Sequence, residues 1–536
     1  MRRTIRTGQT AVVVAWVLFA ASVTSGQPLW ELARANRGTL TISTLFTAQD
    51  VRDRLSSESG IDQAIAWCKD TGVTHAFIES FRDGYTAQRD ALEHAKKRFV
   101  EAGIEVSGCV TPTGVGKKST GWNVISCYTD EATQKRVQEI FEFTASMFDE
   151  IMIDDFWFTD CECDECKKAR GEQSWPEYRC DLMVKVSRER ILRPARAVNP
   201  KVRIIIKYPQ WYDQFHNRGY EVVRQTADFD RTWVGTETRD PDNERWGKKA
   251  QYEAYFIMRW LGEIGGAKCG GGWFDPYGTH EATYVEQARQ TVLADAREML
   301  LFCYGSLLNG TGPANVEKLR TEIPSLFKLA AMVRDKPLKG IAAPKPPNSD
   351  AHNEQYVYDF VGMLGLPLIP TAEIRTDAKA AFLPVHALKD PRLNDKLAAM
   401  LKAGTPVLVT DGLAAKLPAD LANDRNLLTL KVNGKPNSLL NLTREELKPI
   451  RDKLLAPFGL RFDAPNKVAL YLFGDNCIAI ENFNDEPITA TLEFMHPVNP
   501  TKSLLLPTDG QAGFSCAGGK IEFTKITPRT LVVLNY

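Results

Sequence analysis

Apolar runs rich in β-branched residues alternate with amphipathic stretches through the first 340 residues of the chain. Thr39–Thr44 (TLTIST), Val73–Glu79 (VTHAFIE), Ile104–Val110 (IEVSGCV), Glu150–Asp154 and Val202–Lys207 (VRIIIK) have the length and composition of buried strands. Thr232–Thr236 (TWVGT), Cys269–Phe274 (CGGGWF, weakened by its three glycines) and a segment within Met299–Leu308 complete eight. Helical patterns fall between or after them at Ile61–Asp70, Ala87–Ala102, Asp130–Met147, Pro176–Ala197 and Val316–Val333. Eight strand-then-helix units predict an α/β fold, a (β/α)8 TIM barrel over residues 27–340. An open doubly wound sheet is the competing architecture, and it rarely carries so many uninterrupted repeats.

The pattern then changes twice. Residues Lys336 to Ser349 (KPLKGIAAPKPPNS) are rich in proline and lysine and read as a linker. Beyond it, a helix at Tyr356–Leu364, strands at Ala380–Leu383 and Pro406–Thr410, and a helix Asn394–Lys402 capped by Asn394 predict a small α/β layer over 341–455. This part contains no cysteine, which excludes a thiol nucleophile there. From Val468 onward, short alternating segments (VALYLF, CIAIENF, ITATLEF, KIEFTKI, TLVVLNY) predict a C-terminal β-sandwich over 456–536.

Active sites of such barrels lie at the C-terminal ends of the strands, which here are polar and aromatic. The most concentrated stretch is DEIMIDDFWFTDCECDEC, Asp149 to Cys166, where a short apolar strand ends in Asp154 and Asp155 beside Phe156, Trp157 and Phe158. Two carboxylates at the end of a buried strand are costly unless paired or opening into a cleft. The other strand ends add Glu79, Arg82, Lys207, Tyr208, Trp211, Glu237, Arg239, Trp273, Asp275 and Tyr304. We expect Asp155, Asp154, Asp275 and Glu237 to carry catalysis and Glu79, Arg82, Lys207, Tyr208, Trp211, Arg239, Trp273 and Tyr304 to line the substrate site.

Charge alters little: 67 basic and 67 acidic residues balance, so nothing favours nucleic acid or an anionic membrane. The N-terminus reads as a signal peptide over 1–26, with Arg2, Arg3 and Arg6 before the apolar stretch Ala11 to Val23 and small residues Thr24 to Gly26. A periplasmic or secreted location is expected, with no membrane association after its removal. Eleven cysteines in an exported chain raise disulfides first. However, Cys161, Cys163 and Cys166 lie too close in sequence to pair comfortably with one another, and their spacing is that of metal ligands.

The cysteine cluster and the domain order resemble glycoside hydrolase family 42, the β-galactosidases of clan A. In that family a barrel precedes an amidotransferase-like domain used in trimer formation and a small C-terminal β-domain. A cysteine near the third strand-to-helix junction joins a C-x-C-x-x-C group after strand four to hold zinc. The matching residues are Cys127 (in ISCYTDEATQKRV) and Cys161, Cys163 and Cys166 (in CECDECKKA), so the resemblance implies a structural Zn²⁺ and a homotrimer. It also implies Asp155 as general acid and Asp275 near the nucleophile position. Both stand where the family has glutamate, so a distant or separate family on the same scaffold is expected.

Together these readings predict an exported glycoside hydrolase acting on an oligosaccharide or glycoside with two carboxyl groups and no organic cofactor, retaining chemistry being the first scheme and Asp275 or Glu237 the partner of Asp155. A second scheme makes Asp154 the nucleophile and Glu237 the acid, as in α-glycosidase barrels. A non-catalytic carbohydrate-binding barrel is the third.

Overall fold

The computed structural model describes residues 28–243 and 249–536. The signal peptide expected at 1–26 lies outside the described residues. Eight parallel strands form a closed barrel: β1 (Thr41–Phe46), β2 (His75–Arg82), β3 (Glu105–Val110), β4 (Glu150–Ile153), β5 (Arg203–Tyr208), β6 (Arg231–Gly235), β7 (Cys269–Phe274) and β8 (Glu298–Leu301). Closure comes from β1, which pairs with both β2 and β8. A helix follows each strand, from Glu58–Asp70 after β1 to Gly312–Val333 after β8. The expected (β/α)8 barrel is what the chain forms.

Strand alternation decides what the barrel holds. Leu45, Phe77, Cys109, Met152, Ile205, Trp233, Trp273 and Leu300, one from each strand, pack into a single buried cluster inside it. Two indoles in that layer need space, and the glycines of β7 supply part of it: a Cβ on Gly271 would come within 2.7 Å of the Trp233 ring. The glycines that weaken CGGGWF as a strand pattern are therefore a packing requirement. Two residues further along, the same parity brings Glu79, Thr111, Asp154 and Lys207 inward as a polar layer at the C-terminal mouth.

The residues after the barrel form a five-stranded parallel sheet ordered Leu368–Thr371, Ile341–Pro344, Ala381–Leu383, Val407–Thr410 and Leu427–Leu430. Two antiparallel sheets follow, one of five strands and one of four, with Leu470, Ile480 and Val532 of the first packed against Leu492, Phe494 and Phe523 of the second.

Two expectations need correction here. The segment Lys336 to Ser349 is not a linker: Leu338–Lys339 pairs with the C-terminal sheet, and Ile341–Pro344 is a fully buried strand of the α/β sheet. The short apolar run GIAAP outweighs the prolines around it, because Pro344 stands at the end of its strand. Asn394 does not cap its helix, which starts at Leu393 with Arg392 at the cap position.

Candidate active site

A cavity of about 500 Å³ opens at the C-terminal mouth above β4, β5 and β6. Asp155, Phe156 and Phe158 reach it from the loop after β4, Gln210 and Trp211 from the loop after β5, and Glu237 and Arg239 from the loop after β6. Trp122 closes one side, its ring centroid 5.5 Å from Phe156 and 6.3 Å from Phe158. Trp211 meets Phe158 edge-on at 5.3 Å. The opposite side is formed by Lys249 and Glu253, and by Tyr356, Asp359 and Phe360 from the domain after the barrel.

The two neighbouring aspartates have different surroundings because β4 ends at Ile153. Asp154 keeps the inward parity of the strand and is fully buried. It pairs with Lys207, accepts from Arg82 Nη2 at 2.7 Å, and accepts from Thr111 Oγ1 at 3.0 Å. Burial alone would push its carboxyl up, but Lys207 and then Arg82 outweigh that and hold it at about 2. Asp155 points the other way, into the cavity. Burial, then the charge of Asp154, pushes its carboxyl up to about 7.

Glu237 is 3 % exposed and is likewise pushed up, to about 8, by burial first. Arg239 opposes that shift, while Asp275 and Asp155 add to it. With the Gln210 amide oriented to satisfy both of its ends, Nε2 donates to Glu237 Oε1 at 3.0 Å and Oε1 accepts from Lys249 Nζ at 2.8 Å. Glu237 Oε2 has no hydrogen-bond partner. A glycine makes room for this carboxyl: a Cβ on Gly235 would lie 2.7 Å from Glu237 Oε2 and 2.8 Å from the Gln210 backbone nitrogen. Gly235→Ala should therefore displace Glu237 and cost about 10²-fold in kcat, since roughly an ångström of misplacement has that effect. Steady-state assay of the folded variant checks it, and unchanged kcat would free Glu237 from a demand for exact placement.

Asp275 is gripped by Arg239 through two bonds, Nε–Oδ1 at 3.0 Å and Nη2–Oδ2 at 2.6 Å. Arg239 itself has φ +58° and Tyr356 φ +60°, so two non-glycine residues of the cavity wall sit in the left-handed region.

Other predicted residues fall into two groups. Glu79, Arg82, Lys207 and Trp273 form the floor beneath the mouth: Glu79 accepts from Arg82 Nε and the Ala48 backbone, both at 2.8 Å, and Lys207 Nζ stands 3.8 Å from the Trp273 ring centre. Tyr208 and Tyr304 do not belong with them. Tyr208 has the outward parity opposite to Lys207, bonds Thr226 at 3.2 Å and packs on Phe215 and Tyr220. Tyr304 follows β8 in a helical turn and packs on Phe46 and Trp67. The sequence reading missed Trp122, Gln210, Lys249, Glu253, Tyr356, Asp359 and Phe360. Trp122 was findable as an exposed indole in a glycine-rich loop, whereas Tyr356 and Asp359 arrive only through domain packing.

Behind the aromatic wall, Cys127, Cys161, Cys163 and Cys166 bring their sulfurs within 4.8 Å of one another. The closest pairs are 3.5, 3.6 and 3.8 Å apart, well beyond a disulfide bond, and all eleven cysteines are free thiols. The disulfides that an exported chain suggested are thus not formed. A tetrahedral ion with metal–sulfur bonds of about 2.3 Å needs sulfurs about 3.8 Å apart, so the set fits Zn²⁺. Thr129 Oγ1 lies 3.0 Å from Cys166 Sγ as a supporting hydroxyl. The cluster joins the loop that carries Trp122 to the loop that carries Phe156 and Phe158. Asp160 ties the same loops by accepting from Trp122 N at 2.9 Å, and it reaches the segment after β5 by accepting from Arg218 Nη1, also at 2.9 Å.

Residues 27–359 match the family described as "Probable glycosyl hydrolase, catalytic domain", and the chain belongs to that family. An uncharacterized protein of Saccharolobus solfataricus is 26% identical over 349 residues, 58% of this chain and 57% of that protein. The chain thus matches little more than half the length of this relative. Alpha-L-fucosidase isoenzyme 2 from Paenibacillus thiaminolyticus has a similar fold at TM-score 0.63 and 11% identity, over 93% of this chain and 99% of that one. The first domain is a glycosyl hydrolase catalytic domain on a TIM barrel.

Proposed function

We propose that the chain hydrolyses a glycosidic bond with retention of configuration, using Asp155 and Glu237 as its two carboxyl groups. One observation carries this reading: of the four predicted acids, these two line the cavity, whereas Asp154 and Asp275 are held in ion pairs. Burial keeps the proton on Glu237 at neutral pH, while Asp155, pushed up to about 7 by burial and Asp154 against Lys207 and Arg82, is ionised in part there. Asp155 then attacks the anomeric carbon while Glu237 protonates the leaving oxygen, and the bond between them breaks. In the second half, the Glu237 carboxylate takes a proton from the water that displaces Asp155, and both groups return to their starting states. This reverses the role that the family 42 resemblance implies for Asp155. It retains the Glu237 acid of the α-glycosidase scheme but moves the nucleophile from the buried Asp154 to its neighbour.

The pH dependence follows in sign. Activity should fall below about 7 as Asp155 takes up a proton and above about 8 as Glu237 loses one. A kcat/KM profile on a responsive aryl glycoside tests this. A maximum near about pH 4, where unperturbed carboxyl groups titrate, would contradict it.

The cysteine set would hold a structural Zn²⁺, with four thiolates and no open position. Metal analysis should return about one zinc per chain, and its removal should loosen Trp122 and quench or shift tryptophan emission. Metal-free protein with unchanged emission would sink this assignment. Export rests on the sequence of residues 1–26, and a mature N-terminus near Gln27 is its check. Among the described residues no helix is long and apolar enough to cross a membrane. A homotrimer rests on the family 42 likeness, and sedimentation of the mature chain as a monomer would remove it.

A further inference from the structure

A second pair of carboxyl groups faces the cavity across from the aromatic wall. Glu253 begins the helix Glu253–Gly265 of the barrel, and Asp359 comes from the short helix Val357–Gly362 of the following domain. They are 3 % and 1 % exposed. Glu253 Oε2 has no hydrogen-bond partner, and its cation, Lys249 Nζ, is 3.6 Å away. One oxygen of Asp359 accepts from Tyr212 at 2.9 Å. Burying such groups without donors is costly, and neither takes part in the hydrolytic steps above.

The domain that delivers Asp359 is fixed to the barrel by a buried polar knot. Asp213, from the loop after β5, accepts from the Tyr356 backbone at 2.7 Å and lies 2.9 Å from His386 Nε2 and 3.4 Å from Lys345 Nζ. Asp359, three residues beyond Tyr356, is therefore held at a fixed place in the wall.

The charge inventory points one way. Among the described residues, Asp155, Glu237, Glu253 and Asp359 bring four carboxyls to the cavity, set against Arg239 and Lys249, and Arg239 is bound twice to Asp275. Among the described residues, the buried cavity atoms without hydrogen-bond partners are Glu237 Oε2, on the acid that gives its proton to the leaving oxygen, and Glu253 Oε2. A ligand that completes this site offers a hydrogen-bond donor to Glu253 Oε2 and adds no negative charge beside Asp155, Glu253 and Asp359.

We infer that Glu253 and Asp359 are specificity-determining residues, which read the donors of the bound sugar and exclude sugars carrying a carboxylate. The inference rests on the cavity being the sugar site of the proposed hydrolase, and it names the substrate class: glycosides of neutral or amino sugars, not uronides. Hydroxyl and ammonium groups supply the same donor chemistry, and the test separates them.

Calorimetric titration of the whole protein with matched monosaccharides is that test: galactose and glucose, their 2-amino counterparts, and galacturonate and glucuronate. At least one neutral or amino sugar should bind, and its uronate should bind at least tenfold more weakly. Glu253→Gln and Asp359→Asn should each weaken the preferred sugar about tenfold. An amino sugar that binds more tightly than its neutral match, and loses that advantage in Asp359→Asn, identifies ammonium as the group read. Equal or weaker binding of the amino sugar identifies hydroxyls. Binding of a uronate as tight as its neutral match, folded variants with unchanged affinity, or no binding across the panel would each overturn the inference. The wild-type comparison decides the matter where a variant fails to fold. Discriminating binding without turnover would remove the hydrolytic reading and leave this one; turnover without discrimination would do the reverse.

Discussion

Asp155→Asn and Glu237→Gln should each lower kcat by about 10²–10⁴-fold, the usual contribution of a positioned acid or base, while the thermal midpoint barely moves. Both substitutions keep size and replace an ionisable carboxyl by a neutral amide, which neither attacks as a carboxylate nor supplies an acid proton. The two should differ by leaving group. Without its acid, Glu237→Gln should still cleave aryl glycosides whose phenolate leaves unaided, and lose activity mainly on alkyl glycosides. Asp155→Asn should be impaired on both, because bond formation at the anomeric carbon is lost. Asp275→Asn removes the charge that Arg239 grips and should cost less, through a loosened wall rather than lost chemistry. Tyr304→Phe should do nothing to turnover, since that ring packs on Phe46 and Trp67 away from the cavity. Activity of Asp155→Asn and Glu237→Gln near wild type on alkyl glycosides would remove both from the reaction.

The largest loss of stability should come from Asp154→Ala. Lys207 is fully buried, and Arg82 is nearly so, with Glu79 as its remaining partner. Removing one member of a buried pair leaves an uncompensated charge and costs about 3–5 kcal/mol. The midpoint of urea unfolding reads this directly, and a loss below about 1 kcal/mol would mean that water reaches Lys207. The sign with pH also follows. The Asp154 carboxyl is held at about 2, below its unfolded value near ~3.9, so its stabilisation is complete above the unfolded value and is lost as pH falls through the folded one. Asp154 also helps to raise Asp155, so in a folded Asp154→Asn protein the acid limb of the rate profile should move to lower pH.

The barrel was legible because its signal is repeated eight times and each unit is short and local. The floor of the site was legible for the same reason, since Glu79, Asp154 and Lys207 continue strand parity. Parity also carried the correction to Tyr208: counting from Ile205 puts Lys207 inside and Tyr208 outside. Tyr304 failed because β8 stops at Leu301, and nothing in LFCYGSLL marks where strand gives way to helix. The apparent linker failed because proline and lysine dominate its composition while the buried part is only Ile341–Pro344. The far wall could not be read at all. Asp359 reaches the cavity through the Asp213, Lys345 and His386 knot, contacts spanning more than 100 residues that no local pattern announces.

The claim that Asp155 and Glu237 work as nucleophile and acid is tested most directly by azide rescue of Asp155→Ala on an aryl glycoside, with the product's anomeric configuration determined. Azide fits the space left by the missing carboxylate and attacks the anomeric carbon in its place. The account predicts restored turnover and a glycosyl azide of configuration opposite to the substrate, with no rescue in Asp275→Ala. Rescue in Asp275→Ala and none in Asp155→Ala would contradict it and return the nucleophile to the end of β7.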